Sequence, residues 1–487
     1  MTTAFRDIFL PAVWYFNGLV LTLLIVQSFI YSWQLGTAYL ESRSAQHSAL
    51  STKTSWLLAG DFTFPISILV PAYNEQATLE DNIRSLLALH YPDFEVIVVN
   101  DGSKDRTLQA AIEAFDLKPA DRAYQQAVPH KPIRGIYGNP RYPRLLVVDK
   151  ENGGRSDALN AALDLARCPL FCRVDADSML DPEALLLAVR PFIQEPERMI
   201  AVGGQIRIVN GCEVRNGRVV KAKLPASLLP LLQVVEYTRS FVMARLSWSR
   251  MQSIMIVSGA FGLFKRPAAI RVGGFSHNTV GEDMELVVKL HRHYRENGIP
   301  YAIRYLPDPV CWTEAPSTLR VLRSQRARWQ RGLLEVLVKH RRMIFSPRYG
   351  VPGVVGMGYF FIFDALGPIV EALGHVVVPL CWLAGVLNLS FFIAYLSLTC
   401  VFGVFISVGA LFLEEISGNQ VARARDLAIL TFCAVIENFG YRQLNNFWRI
   451  QGLWQFLRKK KGWGDMARTG SQFRQAKPDT TKASSAR

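Results

Sequence analysis

EVIVVNDGSKDRT, residues 95–107, decides the fold. A short run rich in β-branched side chains stops at Asn100-Asp101-Gly102-Ser103, a turn that carries a carboxylate. A continuous apolar run bounded by turn residues marks a strand buried on both faces of a parallel sheet. Residues 66–70 (ISILV), 145–148 (LLVV) and 170–174 (LFCRV) repeat the pattern, and 78–89 reads as an amphipathic helix between the first two strands. Strand, helix, strand at this spacing predicts right-handed βαβ units wound into a Rossmann-like α/β sheet. Ligands of such sheets sit outside the carboxyl ends of the strands. The residues capable of chemistry fall at those ends.

The rest of the chain is more apolar than a soluble enzyme. Of 487 residues, 50% are hydrophobic and 20% charged, with a mean hydropathy of +0.14. That excludes a disordered, collagen-like or disulfide-scaffold protein. A formal charge of +15 requires an anionic partner: nucleic acid, anionic lipid or a phosphorylated substrate. Seven cysteines without CxxC spacing read as reduced, mostly buried thiols.

Residues 12–33 are uncharged and long enough to cross a bilayer core of about 30 Å. Arg6 and Asp7 cancel ahead of them, which favours an uncleaved anchor over a signal peptide. Residues 372–413, interrupted only by His375, read as two spans; 427–448 is a weaker third, and 351–363 is short enough for an interfacial or re-entrant helix. Arg341, Arg342 and Arg348 before this region and 458–461 after it both prefer the cytoplasmic side. Three C-terminal crossings would separate them, so either 351–363 adds a crossing or 427–448 does not span. The expected organisation is an anchor at 1–40, a cytosolic α/β domain at 60–345 with a basic interface helix at 318–340, a membrane region of three or four helices at 350–456, and a basic cytosolic tail at 457–487.

Within the soluble part, Asp101 could accept hydrogen bonds from a nucleoside or simply cap the next helix. Asp175-Ala176-Asp177 ends an apolar strand, and two carboxylates one residue apart are hard oxygen ligands for Mg²⁺ or Mn²⁺ bridging a diphosphate. Lys150 to Asn160 (KENGGRSDALN) offers Lys150, paired glycines and Arg155 before a helix whose N-terminus could donate to an anion. Ser258 and Gly259 lie in a small-residue stretch, VSGAFG at 257–262, where something passes close to backbone. Glu282 and Asp283 stand at a helix N-terminus, where acids are ordinarily caps. Arg320, Arg323, Arg326, Arg328 and Arg331 crowd one helix with Gln325 and Trp329, as a membrane-surface face or a diphosphate clamp. No nucleic-acid recognition fold surrounds that helix.

The ordered set PAYNE (71–75), NDGSKDRT (100–107), NGGRSDALN (152–160), DAD (175–177), GED (281–283) and QRARW (325–329) resembles the family 2 glycosyltransferases. The membrane-embedded polysaccharide synthases of that family, akin to cellulose, hyaluronan and poly-N-acetylglucosamine synthases, are the most similar. The resemblance implies a GT-A catalytic domain plus an α-helical transmembrane region. It implies an inverting, processive, metal-dependent transfer from UDP-glucose or UDP-N-acetylglucosamine to a growing β-linked polysaccharide, with coupled export. By position, Asp283 would be the general base and Asp177 the metal ligand. Asp101, Lys150, Arg155, Asp175, Gln325, Arg328 and Trp329 would bind the donor, and Ser258, Gly259, Glu282 and Trp329 the acceptor. GWGDMAR at 462–468 resembles a gating segment through Trp463 and Arg468 but departs from its pattern, as GED departs from the commoner TED. Implied partners are a UDP-sugar, a glycan acceptor, membrane lipid and an accessory export protein, at the inner membrane with the catalytic domain in the cytoplasm. Single transfer to a lipid carrier and a catalytically dead sensor are the competing readings.

Overall fold

The computed structural model describes residues 3–51, 63–215, 217–383, 385, 388–417 and 423–460. In chain order its strands are β1 (Ile66–Ala72), β2 (Phe94–Asn100), β3 (Lys118–Pro119), β4 (Ile133–Gly138), β5 (Leu145–Lys150) and β6 (Leu170–Val174). There follow β7 (Met179–Leu180), β8 (Met199–Ile208), β9 (Glu213–Arg215), β10 (Arg218–Lys221), β11 (Phe261–Lys265) and β12 (Ala302–Thr313). Ten of them form one sheet in the order β3-β4-β5-β2-β1-β6-β11-β8-β12-β7, and β9 and β10 pair separately.

The four apolar runs of the sequence are the parallel centre of this sheet: β5, β2, β1 and β6 are parallel neighbours. Ile68, Leu69, Val98, Val148 and Phe171 are fully buried there. The expected parallel winding does not extend across the whole sheet. β11 runs antiparallel between β6 and β8, and β4 runs antiparallel to β5. The sheet is therefore mixed and GT-A-like. FGLF in β11 buries both faces as a parallel strand would, so its hydrophobic period carried no information about direction.

Register aligns the strand ends. Ala72 pairs with Asn100, and Asn100 with Asp149. The PAYNE loop, Asp101 and Lys150 thus emerge at one edge, and β6 delivers Asp175 to the same edge.

Among the described residues, three helical stretches are long and apolar enough to cross a membrane: Pro11–Ser44, Pro352–Leu383 and Leu389–Ile416. Residues 351–363 are not a separate re-entrant element; Pro352–Leu383 is continuous through them. Asp364, the charge that directly follows 351–363, is paired with Arg449 Nη2 at 3.1 Å. A paired acid is tolerated where a lone one is expensive. The last helix, Arg442–Leu457, lies instead along Leu319–Lys339: Gly452 packs on Ala327 and Gln330, and Arg449 Nε donates to Gln330 Oε1 at 2.9 Å. The far end of Leu389–Ile416 returns to the sheet domain, where Glu414 accepts from Gln205 (2.9 Å), Arg207 (3.0 Å) and Thr238 (2.9 Å). Ser42 near the end of the first helix meets Ser417 at 2.6 Å.

Candidate active site

At the end of β2, the buried Asp101 carboxylate accepts from Lys150 Nζ (2.8 Å) and the backbone N–H groups of Gly153 (3.0 Å) and Gly154 (2.7 Å). The helix N-terminus expected to greet a ligand is thus occupied by Asp101 itself. Gly154, at φ +91°, lets the chain turn its amides toward that carboxylate. Lys150 is fully buried; its ammonium also meets Asp157 and donates to the Glu151 carbonyl at 2.5 Å. Three donors are matched by three acceptors, so in this arrangement Lys150 is a post that fixes Asp101 and Asp157. Across the turn, Asn74 N donates to Ser103 Oγ (3.0 Å) and Glu75 N to Thr107 Oγ1 (2.8 Å), lacing PAYNE to NDGSKDRT.

Arg155, the first residue of the helix Arg155–Leu165, joins three distant segments. Its guanidinium binds the Asp175 carboxylate, the Gly259 carbonyl (Nη2, 3.1 Å) and Glu282 Oε1 (Nη1, 3.0 Å). Arg173 shares two of these partners, through Nε to the Gly259 carbonyl (3.1 Å) and Nη2 to Glu282 Oε1 (3.6 Å). Arg173 and Glu282 are nearly inaccessible. Burial raises the Glu282 pKa above the ordinary carboxyl range against the pull of Arg155 and Arg173, and burial also lowers that of Arg173. Glu282 is therefore tied to arginines on one oxygen, while buried Oε2 has no hydrogen-bond partner.

Asp283 follows at the N-terminus of the helix Glu282–Glu296, half-buried, accepting from Met284 N at 2.8 Å. This helix meets the QRARW helix, Leu319–Lys339, where Gly281 faces Gly332: a Cβ on Gly332 would lie 2.9 Å from the Gly281 nitrogen. Only paired glycines allow that approach. Beside it, fully buried Glu285 binds Lys339 (2.7 Å), Lys289 (3.3 Å) and His340 (3.3 Å). Burial alone would raise its pKa, but His340, Lys289 and Lys339 overcome that and hold it at about 2.

On the QRARW helix, Arg326 pairs with Glu236 (2.8 and 2.9 Å) and lies 4.5 Å from the Trp329 ring centroid. Gln325 is buried with Oε1 lacking a partner, Arg328 is half-buried, and Trp329 is 45% exposed. Direct contacts thus join Asp101 to Lys150 and, in a second set, Arg155 to Asp175, Gly259 and Glu282; Gly154, bonded to Asp101 and preceding Arg155, links the two along the chain. Asp283 and Asp177 adjoin this network in sequence, and Gln325, Arg328 and Trp329 join it through the Gly281–Gly332 contact. Ser258 turns its own loop: its Oγ accepts from the Ala260 N–H at 3.4 Å. Trp463 and Arg468 lie outside the described residues.

Arg173, Asp157, Glu236 and Glu285 went unnoticed in the sequence. One signal was available: Arg173 is the lone charge in the buried run LFCRV, and a charge on a buried strand demands a partner.

Among the described residues no cluster of three or more His, Cys, Asp or Glu could hold a metal. Asp175 and Asp177 supply two carboxylates. That set fits Mg²⁺ or Mn²⁺, which are commonly held by one or two carboxylates while substrate phosphates and water fill the shell.

Residues 67–273 match the profile of Glycosyl transferase family 2, and 171–413 that of Glycosyl transferase family group 2. The chain belongs to the family 2 glycosyltransferases. It is 30% identical over 275 residues to the poly-beta-1,6-N-acetyl-D-glucosamine synthase of Staphylococcus epidermidis, covering 56% of each chain. The enzyme of that name from Staphylococcus aureus strain COL is 30% identical over 276 residues, again covering 56% of each. The match spans little more than half the length of these relatives. Among solved structures, the mannosyltransferase PcManGT from Pyrobaculum calidifontis, in complex with GDP-Man and Mn²⁺, is similar at 19% identity and a TM-score of 0.48, covering 92% of this chain and 100% of that one.

Two stability predictions follow from the network. Arg173→Met leaves Glu282 buried with one arginine and should cost about 3–5 kcal/mol, while Arg173→Met with Glu282→Gln should recover much of the loss in thermal melts. Equal melting of single and double variants would separate the two residues. Glu285 has a folded pKa of about 2 against 4.5 for the free group, so its stabilisation is full above pH 4.5 and lost as pH falls toward 2. Melting temperature of the wild type should drop across that window, and Glu285→Gln, less stable at pH 7, should show a flatter acid limb.

Proposed function

We propose that the chain is an inverting, membrane-bound glycosyltransferase that adds sugars from a UDP-sugar to a growing β-linked polysaccharide. UDP-N-acetylglucosamine is the first donor to test, because the curated relatives are named as synthases of its polymer; UDP-glucose is the second. One observation carries the reading. Arg155 ties the strand end bearing Asp175 and Asp177 to the helix bearing Asp283, so segments that carry acids remote in sequence are held together.

In this reading Asp101 and Asp175 meet the nucleoside end of the donor. Asp177, with Asp175, would hold Mg²⁺ or Mn²⁺, which when bound neutralises charge on the departing diphosphate. Gln325 and Arg328 act on the same diphosphate, and Trp329 offers an aromatic face to the acceptor sugar. Asp283 takes the proton from the acceptor hydroxyl as that oxygen attacks the anomeric carbon from the face opposite the leaving group. A single displacement of this kind inverts the configuration. Glu282, bound to two arginines, holds Asp283 in place rather than binding the acceptor.

The hairpin of Pro352–Leu383 and Leu389–Ile416 accounts for the charge distribution. Two crossings return the chain toward the sheet domain, and Arg442–Leu457 runs from beside Gly403 and Pro368 to Leu319–Lys339, so that its last residues end on the sheet side. Both basic clusters then lie on the cytoplasmic face of a multi-pass protein, where the donor is.

Membranes given radiolabelled UDP-N-acetylglucosamine and Mg²⁺ should form alcohol-insoluble polymer, with Asp283→Asn lowering turnover about 10²–10⁴-fold at little change in donor KM. Small, solvent-extractable product alone would favour single transfer to a lipid carrier, and unchanged turnover in Asp283→Asn would remove the base. For topology, single cysteines at Arg342 and Lys459 in a cysteine-free chain should react with impermeant maleimide from the inner face, and one at Asn388 from the outer face. Labelling of Arg342 and Lys459 positions from opposite faces would refute the hairpin.

A further inference from the structure

The QRARW helix has a second working face. Gln325, Arg328, Trp329 and Gly332 share one side at i, i+3, i+4, i+7 spacing, the side that meets Gly281. Arg320, Arg323, Ser324 and Ala327 repeat that spacing on another side, against the helix Arg442–Leu457. Between the two helices lies a groove of about 480 Å³. Arg320, Arg323 and Lys460 line it with Trp448 and Gln455, and no carboxylate does so among the described residues.

These cations are largely uncompensated. Arg323 uses Nε on Gln451 Oε1 (2.7 Å), while the Arg320 guanidinium and the Lys460 ammonium have no ion pair among the described residues. All three are exposed, at a wall otherwise made of Trp448, two glutamines, Ser324, Leu319 and Ala327. A groove with three positive charges and amide donors selects a phosphate. Its surroundings select the kind of phosphate. Leu444, Phe447, Trp454 and Leu457, on the helix that forms one wall, are each between 43% and 64% exposed. Arg458 lies over the Trp454 ring at 4.5 Å. A charged cleft beside an exposed apolar stripe with an interfacial tryptophan suits a molecule with a phosphate head and acyl tails. A soluble anion would have no use for the stripe.

We propose that this groove is a binding site for the headgroup of an anionic glycerophospholipid, whose acyl chains lie along Leu444, Phe447, Trp454 and Leu457. It is separate from the donor site and does not depend on the proposed transfer reaction. Occupied, it would clamp the last helix to the back of the QRARW helix.

The test uses the full chain, purified and reconstituted in nanodiscs, with phosphatidylglycerol as the probe. Native mass spectrometry should show retained phosphatidylglycerol but not phosphatidylcholine. Brominated phosphatidylglycerol should quench a fluorescence component that disappears in Trp448→Phe. The variant Arg320→Gln/Arg323→Gln/Lys460→Gln should weaken phosphatidylglycerol binding by about fivefold per cation lost, on the order of a hundredfold in all. Arg320→Lys/Arg323→Lys, which keeps the charge, should retain most of it and guards against misfolding. Lys118→Gln/Arg141→Gln/Arg271→Gln, equal in charge but on the sheet domain, should change nothing. Equal retention by the groove triple variant and the wild type would overturn the proposal. So would equal retention of phosphatidylcholine, or competition by glycerol phosphate at the affinity of the intact lipid, which would mark a soluble-anion site.

Discussion

The guanidinium of Arg155 is the constraint on which the rest of the site depends. It reaches a carboxylate from the end of β6, a carbonyl from the loop before β11 and a carboxylate from the helix that carries Asp283. These segments are held together by charge within a partly buried space, where an unpaired ion is costly and a matched set specifies one arrangement. Arg173 behind it makes the match redundant on Glu282 and Gly259. The same principle recurs at Lys150, which fixes Asp101 and Asp157, and at Glu285, which fixes two lysines and a histidine.

Much of this was legible in the residues. The parallel core strands declared themselves as apolar runs ending in polar turns, because burial on both faces leaves no other pattern. The strand-end acids were legible for the same reason: a carboxylate directly after such a run must stand at the sheet edge. What escaped was direction and pairing. β11 looks like any buried strand, and nothing local says that it runs backwards. Lys150 and Glu282 have ion-pair partners, Asp157 and Arg173, that no local pattern announces. The span beginning at Pro352 was cut short on paper by Asp364, whose partner Arg449 lies far along the chain.

Catalytic and membrane parts are joined by polar contacts as well as by packing. Glu414 at the end of a span gathers Gln205, Arg207 and Thr238, and Glu236 joins Arg326 to Tyr441. The QRARW helix is therefore shared property. One side adjoins the helix that carries Asp283 through Gly281 and Gly332, and another carries Arg442–Leu457. A displacement of the last helix would be felt at Trp329 through a rigid rod rather than through a flexible loop.

The proposed transfer requires a single donor space bounded by Asp101, Asp177, Asp283 and Trp329. Crystals of the full chain grown with UDP and Mn²⁺, with manganese located by its anomalous scattering, test this most directly. The metal should lie against the Asp177 carboxylate, with UDP running from there toward Asp101 and Asp283 opening onto the same cavity. Manganese and nucleotide bound away from Asp177, or Asp283 facing a different cavity, would contradict it.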